Sequence, residues 1–109
     1  MSFQMSIDTQ ESQLVMKPKG ELDIYNTPKF KDQAVLAYDR NSKDILIDGE
    51  NLEYVDSTGL GGFIYLLNYV QEKGNVVGMK NIKPNIRKLF TITKLDEVFR
   101  FEEEENEQR

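Results

Sequence analysis

The stretch ILIDGENLEYVDSTGLGGFIYLLNYVQEKGNVVGM, residues 45–79, decides the fold class. It opens on Ile45-Leu46-Ile47, a short continuous apolar run of the kind that a strand covered on both faces requires. After a loop, Leu60, Phe63, Ile64, Leu67 and Val70 recur at helical spacing, and Gly74 ends that amphipathic element. Val76 to Met79 is a second short apolar run. Strand, helix and strand in this order form a βαβ unit, so the two strands are expected to be parallel with a right-handed crossover.

On the N-terminal side, Phe3, Met5 and Ile7 alternate with Gln4, Ser6 and Asp8, the period of a half-buried strand. Thr9 to Ser12 is polar and turn-like, and Leu14 to Lys19 is extended again, so the pair reads as a hairpin. Pro18 cannot donate to a ladder, which places the second strand at an edge there or makes it bulge. Gly20 is read as opening a loop that runs to Asn26. Thr27-Pro28 gives a helix start, a hydroxyl cap followed by proline at the first helical position. Phe30, Ala34, Ala37 and Tyr38 form its apolar face, and Asn41 closes it. On the C-terminal side, Pro84 begins a third helix with Ile86, Leu89, Phe90 and Thr93 on one face. Val98 to Phe101 forms a last strand or the start of a tail. The class is α/β, bordering on α+β, with helices packed on a small mixed sheet. One domain spans 1–101, followed by an acidic tail, 102–109.

The composition narrows the chemistry. A chain of 109 residues fits one domain. Without cysteine there is no disulfide, thiolate nucleophile or thiolate metal site; without histidine, the commonest general base and metal ligand are also missing. No apolar run approaches the roughly 18 residues of a membrane span, and Met1 to Gln10 lacks the features of a secretory signal, so the expected location is the cytoplasm. Five of the 19 acidic residues and one of the 14 basic ones fall in 102–109, so the body carries 14 acids and 13 bases. Such balance offers no basic stripe for nucleic acid. The tail reads as a solvated, frayed end or a short terminal helix.

Val55-Asp56-Ser57-Thr58-Gly59-Leu60-Gly61-Gly62 joins the first buried strand region to the second helix, where functional surfaces of parallel sheets collect. Asp56 or Ser57 suits a helix cap. Three glycines at a helix start cost roughly 2–3 kcal/mol relative to alanine. Either close packing of the helix or close approach of another molecule offsets that cost. Enzyme motifs fail here: Gly-x-Ser-x-Gly meets Val55, Asp-Ser-Gly meets Thr58, Gly-x-Gly-x-x-Gly meets Ile64, and no phosphate loop of the Gly-x-x-x-x-Gly-Lys type occurs. The reading is of a non-enzyme without a cofactor or metal.

Asp56-Ser57-Thr58-Gly59-Leu60-Gly61 resembles the phosphorylation motif of the bacterial anti-sigma factor antagonists, which are built on the STAS domain. Gly20-Glu21-Leu22-Asp23-Ile24-Tyr25 with Pro28 is similar to that family's loop before the first helix. Leu52-Glu53-Tyr54-Val55 resembles the segment before its phosphosite, and Arg87 to Leu95 its third helix and following turn. The resemblance covers about residues 3 to 101. It departs at Gly49-Glu50, where the family often has serine or asparagine, at Pro18, and in the tail.

The resemblance implies a binding switch. Unphosphorylated, such a protein captures an anti-sigma factor that is itself an ATP-dependent serine kinase, and so frees a sigma factor for transcription. The kinase phosphorylates the antagonist and dismisses it, and a serine phosphatase restores it. By position, Ser57 is the acceptor. Glu21, Asp23, Asp56, Thr58, Gly59, Gly61 and Gly62 are expected to border the partner surface. Asp56 caps the helix, positions the hydroxyl or touches the partner; Thr58 is a local cap or a second acceptor. A monomer is the expected state, and neither nucleic acid nor membrane is a direct partner. The alternative is a STAS module serving as accessory or scaffold subunit of a transporter or stress-sensing complex. A nucleotide or small-molecule binder would want a cation near the helix start, and the nearest in sequence are the distant Lys43 and Lys73.

Overall fold

The computed structural model describes residues 3–102, so the expectations for the tail, Glu102 apart, lie outside the described residues. The elements in chain order are β1 (Phe3–Thr9), β2 (Gln13–Leu22), α1 (Thr27–Arg40), β3 (Asp44–Asp48), β4 (Leu52–Val55), α2 (Ser57–Gln71), β5 (Val77–Lys80), α3 (Pro84–Ile92), a 3-10 turn (Leu95–Glu97) and β6 (Arg100–Phe101). The sheet runs β1-β2-β3-β5-β6, with β4 also paired to β2. Among the described residues only the β1–β2 hairpin is antiparallel; β3 and β5 are parallel, as the βαβ pattern requires.

β2 organises the sheet. Its first half, Gln13 to Met16, pairs with β3, and its last residues, Gly20 to Leu22, pair with β4. Pro18 falls between these two parallel partners while facing Met5 of β1. The expectation of an edge or a bulge is therefore met in an unexpected way. β2 is an interior strand, but the ladder on one side is interrupted where proline stands, and the register shifts just after it, between Gly20 and Glu21.

Two readings are corrected here. Gly20, at φ +106°, does not open a loop, because pairing with β4 carries the strand on to Leu22. Leu52 to Val55, read as loop, is a strand whose buried-exposed-exposed-buried order shows no period of two. Its pairing with β2 makes it one.

The core lies between the sheet and helices α1 and α2. Phe30, Ala34 and Tyr38 of α1 and Leu60, Phe63, Leu66, Leu67 and Val70 of α2 are buried with Leu14, Met16, Leu22, Ile45 and Ile47 of the strands. Ile64, expected on the apolar face, is only half-buried, and Leu66 is fully buried instead. Phe63 bridges edge-on to Phe30 at 5.1 Å between ring centroids and tilts against Phe90 at 5.9 Å. The buried Tyr38 hydroxyl donates to Asn75 Oδ1, and Asn75 Nδ2 donates in turn to Asp44 Oδ1 at 3.0 Å, so the hydroxyl that Tyr38 brings inside is satisfied. No helix among the described residues is long and apolar enough to cross a membrane.

Candidate functional site

β2 and β4 end side by side, with Leu22 opposite Val55, so the loops that leave them are neighbours. Asp56 N–H donates to the Leu22 carbonyl at 3.2 Å and extends that pairing by one bond. Asp56 then takes an extended conformation, and its Oδ1 accepts from Thr58 N–H at 2.9 Å and Gly59 N–H at 3.1 Å. This is a helix N-cap, which leaves Ser57 as the first helical residue rather than the cap. Thr58 contributes its amide to that cap and its hydroxyl to nothing described.

With the cap supplied by its neighbour, Ser57 is exposed, and its hydroxyl has no hydrogen-bond partner among the described residues. The three glycines divide between the two explanations. A β-carbon at Gly59 would stand 2.5 Å from the Leu22 carbonyl oxygen, and one at Gly62 would stand 2.6 Å from Thr27 Cγ2. These two are buried and serve packing against β2 and α1. A β-carbon at Gly61 would meet nothing within 4 Å. Only Gly61, one turn beyond Ser57, keeps the surface beside the hydroxyl bare.

The loop between β2 and α1 is held by Asp23, whose Oδ1 accepts from the N–H groups of Tyr25 at 3.0 Å and Asn26 at 2.9 Å. Asn26 Nδ2 donates to the Glu21 carbonyl at 3.0 Å. Asp23 thus shapes the loop, and Glu21 lies half-buried in β2 opposite Tyr54. The expected Thr27 cap is corrected: Asn26 occupies the cap position, and Thr27 is buried against Gly62 with Oγ1 unpartnered. On the rim of this loop stand Ile24 and Tyr25, 62% and 84% exposed, which the sequence reading passed over. Their signal was two large, largely apolar side chains between Asp23 and Asn26, in a segment read as a loop. The fold also brings the stem of Lys31 of α1 to the Gly62 turn of α2, a base distant in sequence. Among the described residues no group of acidic side chains is arranged to hold a metal ion.

The STAS domain family model matches residues 4–108. The chain belongs to the STAS domain family. Within it, this STAS domain is 29% identical over 103 residues to the anti-sigma-B factor antagonist of Staphylococcus aureus, a match covering 94% of this chain and 95% of that one. Its backbone is similar to that of an anti-sigma factor antagonist from Mycobacterium paratuberculosis, with a TM-score of 0.80, 20% identity and coverage of 97% and 90%. It is also similar to the Bacillus cell fate determinant SpoIIAA in its phosphorylated form, with a TM-score of 0.70, 22% identity and coverage of 96% and 95%. The two structures show that the STAS fold implied by the resemblance, and the α/β class read from the βαβ pattern, are those of this chain.

Proposed function

We propose that this STAS domain is a phosphorylation-controlled anti-sigma factor antagonist with Ser57 as the phospho-acceptor. It captures an anti-sigma serine kinase while unphosphorylated and is dismissed when that kinase transfers phosphate from ATP to Ser57; a serine phosphatase resets it. One observation carries the reading: Ser57 presents an exposed hydroxyl without a partner, beside the bare backbone of Gly61, at a helix start already capped by Asp56. The relatives named as antagonists of anti-sigma factors, and one solved in a phosphorylated form, support it.

The switch acts through the interface. A phosphate at a helix N-terminus gains about 0.3–1 kcal/mol from the dipole. Asp56 already holds the Thr58 and Gly59 amides, so the gain belongs at the lower end of that range. The isolated domain keeps its fold when modified. Against a partner the sign reverses. A phosphoserine brings roughly 1.5–2 negative charges next to Asp56. One unit charge opposed to one acidic group at about 4 Å costs about 4 kcal/mol at an effective dielectric near 20. That weakens binding roughly a thousandfold. Ile24 and Tyr25 on the adjoining loop supply the apolar contact that a carboxylate-rich rim lacks.

The test is intact-mass spectrometry after incubation with ATP and the host's anti-sigma serine kinase, run alongside Ser57→Ala. One added phosphate on the wild type and none on the variant is the expected result. A wild type that takes no phosphate from any such kinase favours an accessory or scaffold role, with the motif serving only to start α2.

A further inference from the structure

The exposed stripe of α2 continues past the acceptor hydroxyl. Ser57, Gly61 and Tyr65 follow at intervals of four, so they share one helix face, and all three are exposed. At 1.5 Å per residue Tyr65 stands about 12 Å along the axis from Ser57. There α2 meets α1 at a surface groove of about 350 Å³, lined by Lys31, Asp32, Val35, Leu36, Asp39 and Tyr65. The groove is held in shape from below. The Tyr65 ring stacks on Tyr69 at 6.3 Å between centroids and 17° between planes, and the Tyr69 hydroxyl donates to Asp39 Oδ1 at 2.8 Å. Lys31 Nζ lies 4.4 Å over the Tyr65 ring. Asp32 and Asp39 outweigh Lys31 by one charge in the lining, which is therefore net acidic, while Leu36 and Tyr65 remain 52% and 45% exposed.

Resting on the reading of Ser57 as phospho-acceptor, we propose that this groove is a second anchor for the same kinase, seating a side chain with an apolar stem and a cationic head, arginine above all. A stable complex buries about 800 Å² on each partner, a patch of roughly 16 Å radius. The small side chains at Ser57 and Gly61 cannot fill such a patch, and Tyr65 lies within its reach. An arginine stem lies along Leu36 and Val35 and takes the place of Lys31 over the Tyr65 ring, and its guanidinium meets Asp32 and Asp39. The anchor acts at a distance from the transferred phosphoryl group, so it binds ground state and transition state equally. It therefore sets KM and leaves kcat alone.

The test measures steady-state phosphorylation of the full chain by the host's anti-sigma serine kinase and ATP, for wild type, Tyr65→Ala and Asp32→Lys, with thermal melts and sedimentation of each protein alone. The expected result is a KM raised about tenfold or more in Tyr65→Ala. Asp32→Lys, an exposed change independent of the ring stack, raises KM several-fold. Both keep kcat within about twofold of wild type and leave folding unchanged. Three outcomes overturn the anchor: KM within about twofold of wild type in Asp32→Lys and folded Tyr65→Ala, a fall in kcat at unaltered KM, or a change in the chain's own oligomeric state that makes a second copy the occupant. A phosphorylated wild type with indifferent variants removes the anchor alone; a wild type that accepts no phosphate removes the Ser57 reading and the anchor together.

Discussion

Gly59 lies directly against the carbonyl oxygen of Leu22, where a β-carbon would stand only 2.5 Å away. The start of α2 is thereby pressed onto the end of β2, and the obstacle is backbone that cannot turn aside. Gly59→Ala gains up to about 1 kcal/mol of helix propensity but forces the helix off the strand. Overpacking of this kind costs about 1–3 kcal/mol, so the expected outcome is net destabilisation in urea denaturation.

Gly61→Ala has the opposite sign. Its β-carbon enters open space, so propensity alone acts and the domain gains up to about 1 kcal/mol. The same methyl roughens the surface beside Ser57, and kinase affinity falls. A variant that melts higher yet is captured as well as wild type would show that the bare surface has no role in contact.

Asp56 and Ser57 are separable by their effects. Asp56→Ala removes the acceptor of two first-turn amides and lowers stability by about 0.5–2 kcal/mol in equilibrium denaturation. Asp56→Asn keeps the cap and most of that stability. Ser57→Asp leaves the melting temperature near wild type while abolishing capture of the kinase, measured by titration calorimetry.

Tyr25 is exposed enough that its ring contributes little to the fold. Tyr25→Ala is therefore expected to change stability by less than about 0.5 kcal/mol. If the β2–α1 loop borders the partner, the same variant loses about tenfold or more in kinase affinity. Retained affinity would confine the contact to the α2 side of Ser57.

The Tyr69 hydroxyl has a raised pKa because it donates a hydrogen bond to Asp39, with desolvation and the Asp39 charge adding to the effect. A folded-state pKa above the unfolded value favours the protonated form in the native protein. The associated stability is fully present below the ordinary tyrosine pKa near 10 and is lost as pH rises through the higher folded value. Thermal melts taken from pH 9 upward should show a steeper alkaline decline in wild type than in Tyr69→Phe.

The helices were legible because their starts carry local chemistry: Pro28, Pro84 and the Asp56-Ser57 pair each mark a first turn. The start of α2 was legible for the same reason, while the proposal of Ser57 as acceptor came from the resemblance of Asp56 to Gly61 to a family motif. What escaped depends on neighbours distant in sequence. Leu52 to Val55 becomes a strand only because Gly20 to Leu22 lies beside it. Gly59, Gly61 and Gly62 look alike in the chain, and only Leu22 and Thr27 decide which two are for packing. Ile24 and Tyr25 would pass for ordinary core residues until the loop turns them outward.

The interruption at Pro18 divides β2 into two stretches of amides that answer to different partners. On the side turned away from β1, amides of Met16 and the residues before it exchange their protons only when β3 lets go, whereas those of Gly20 to Leu22 are guarded by β4 and by whatever covers the Ser57 end of α2. Proline itself carries no amide proton, so the boundary is a silent position in a hydrogen-exchange map. Opening of the two stretches need not be concerted, and the β4–α2 corner is free to be the less stable unit. Binding at Ser57 would then slow exchange at Gly20 to Leu22 and along β4, while leaving Leu14 to Met16 at the rate set by the rest of the sheet.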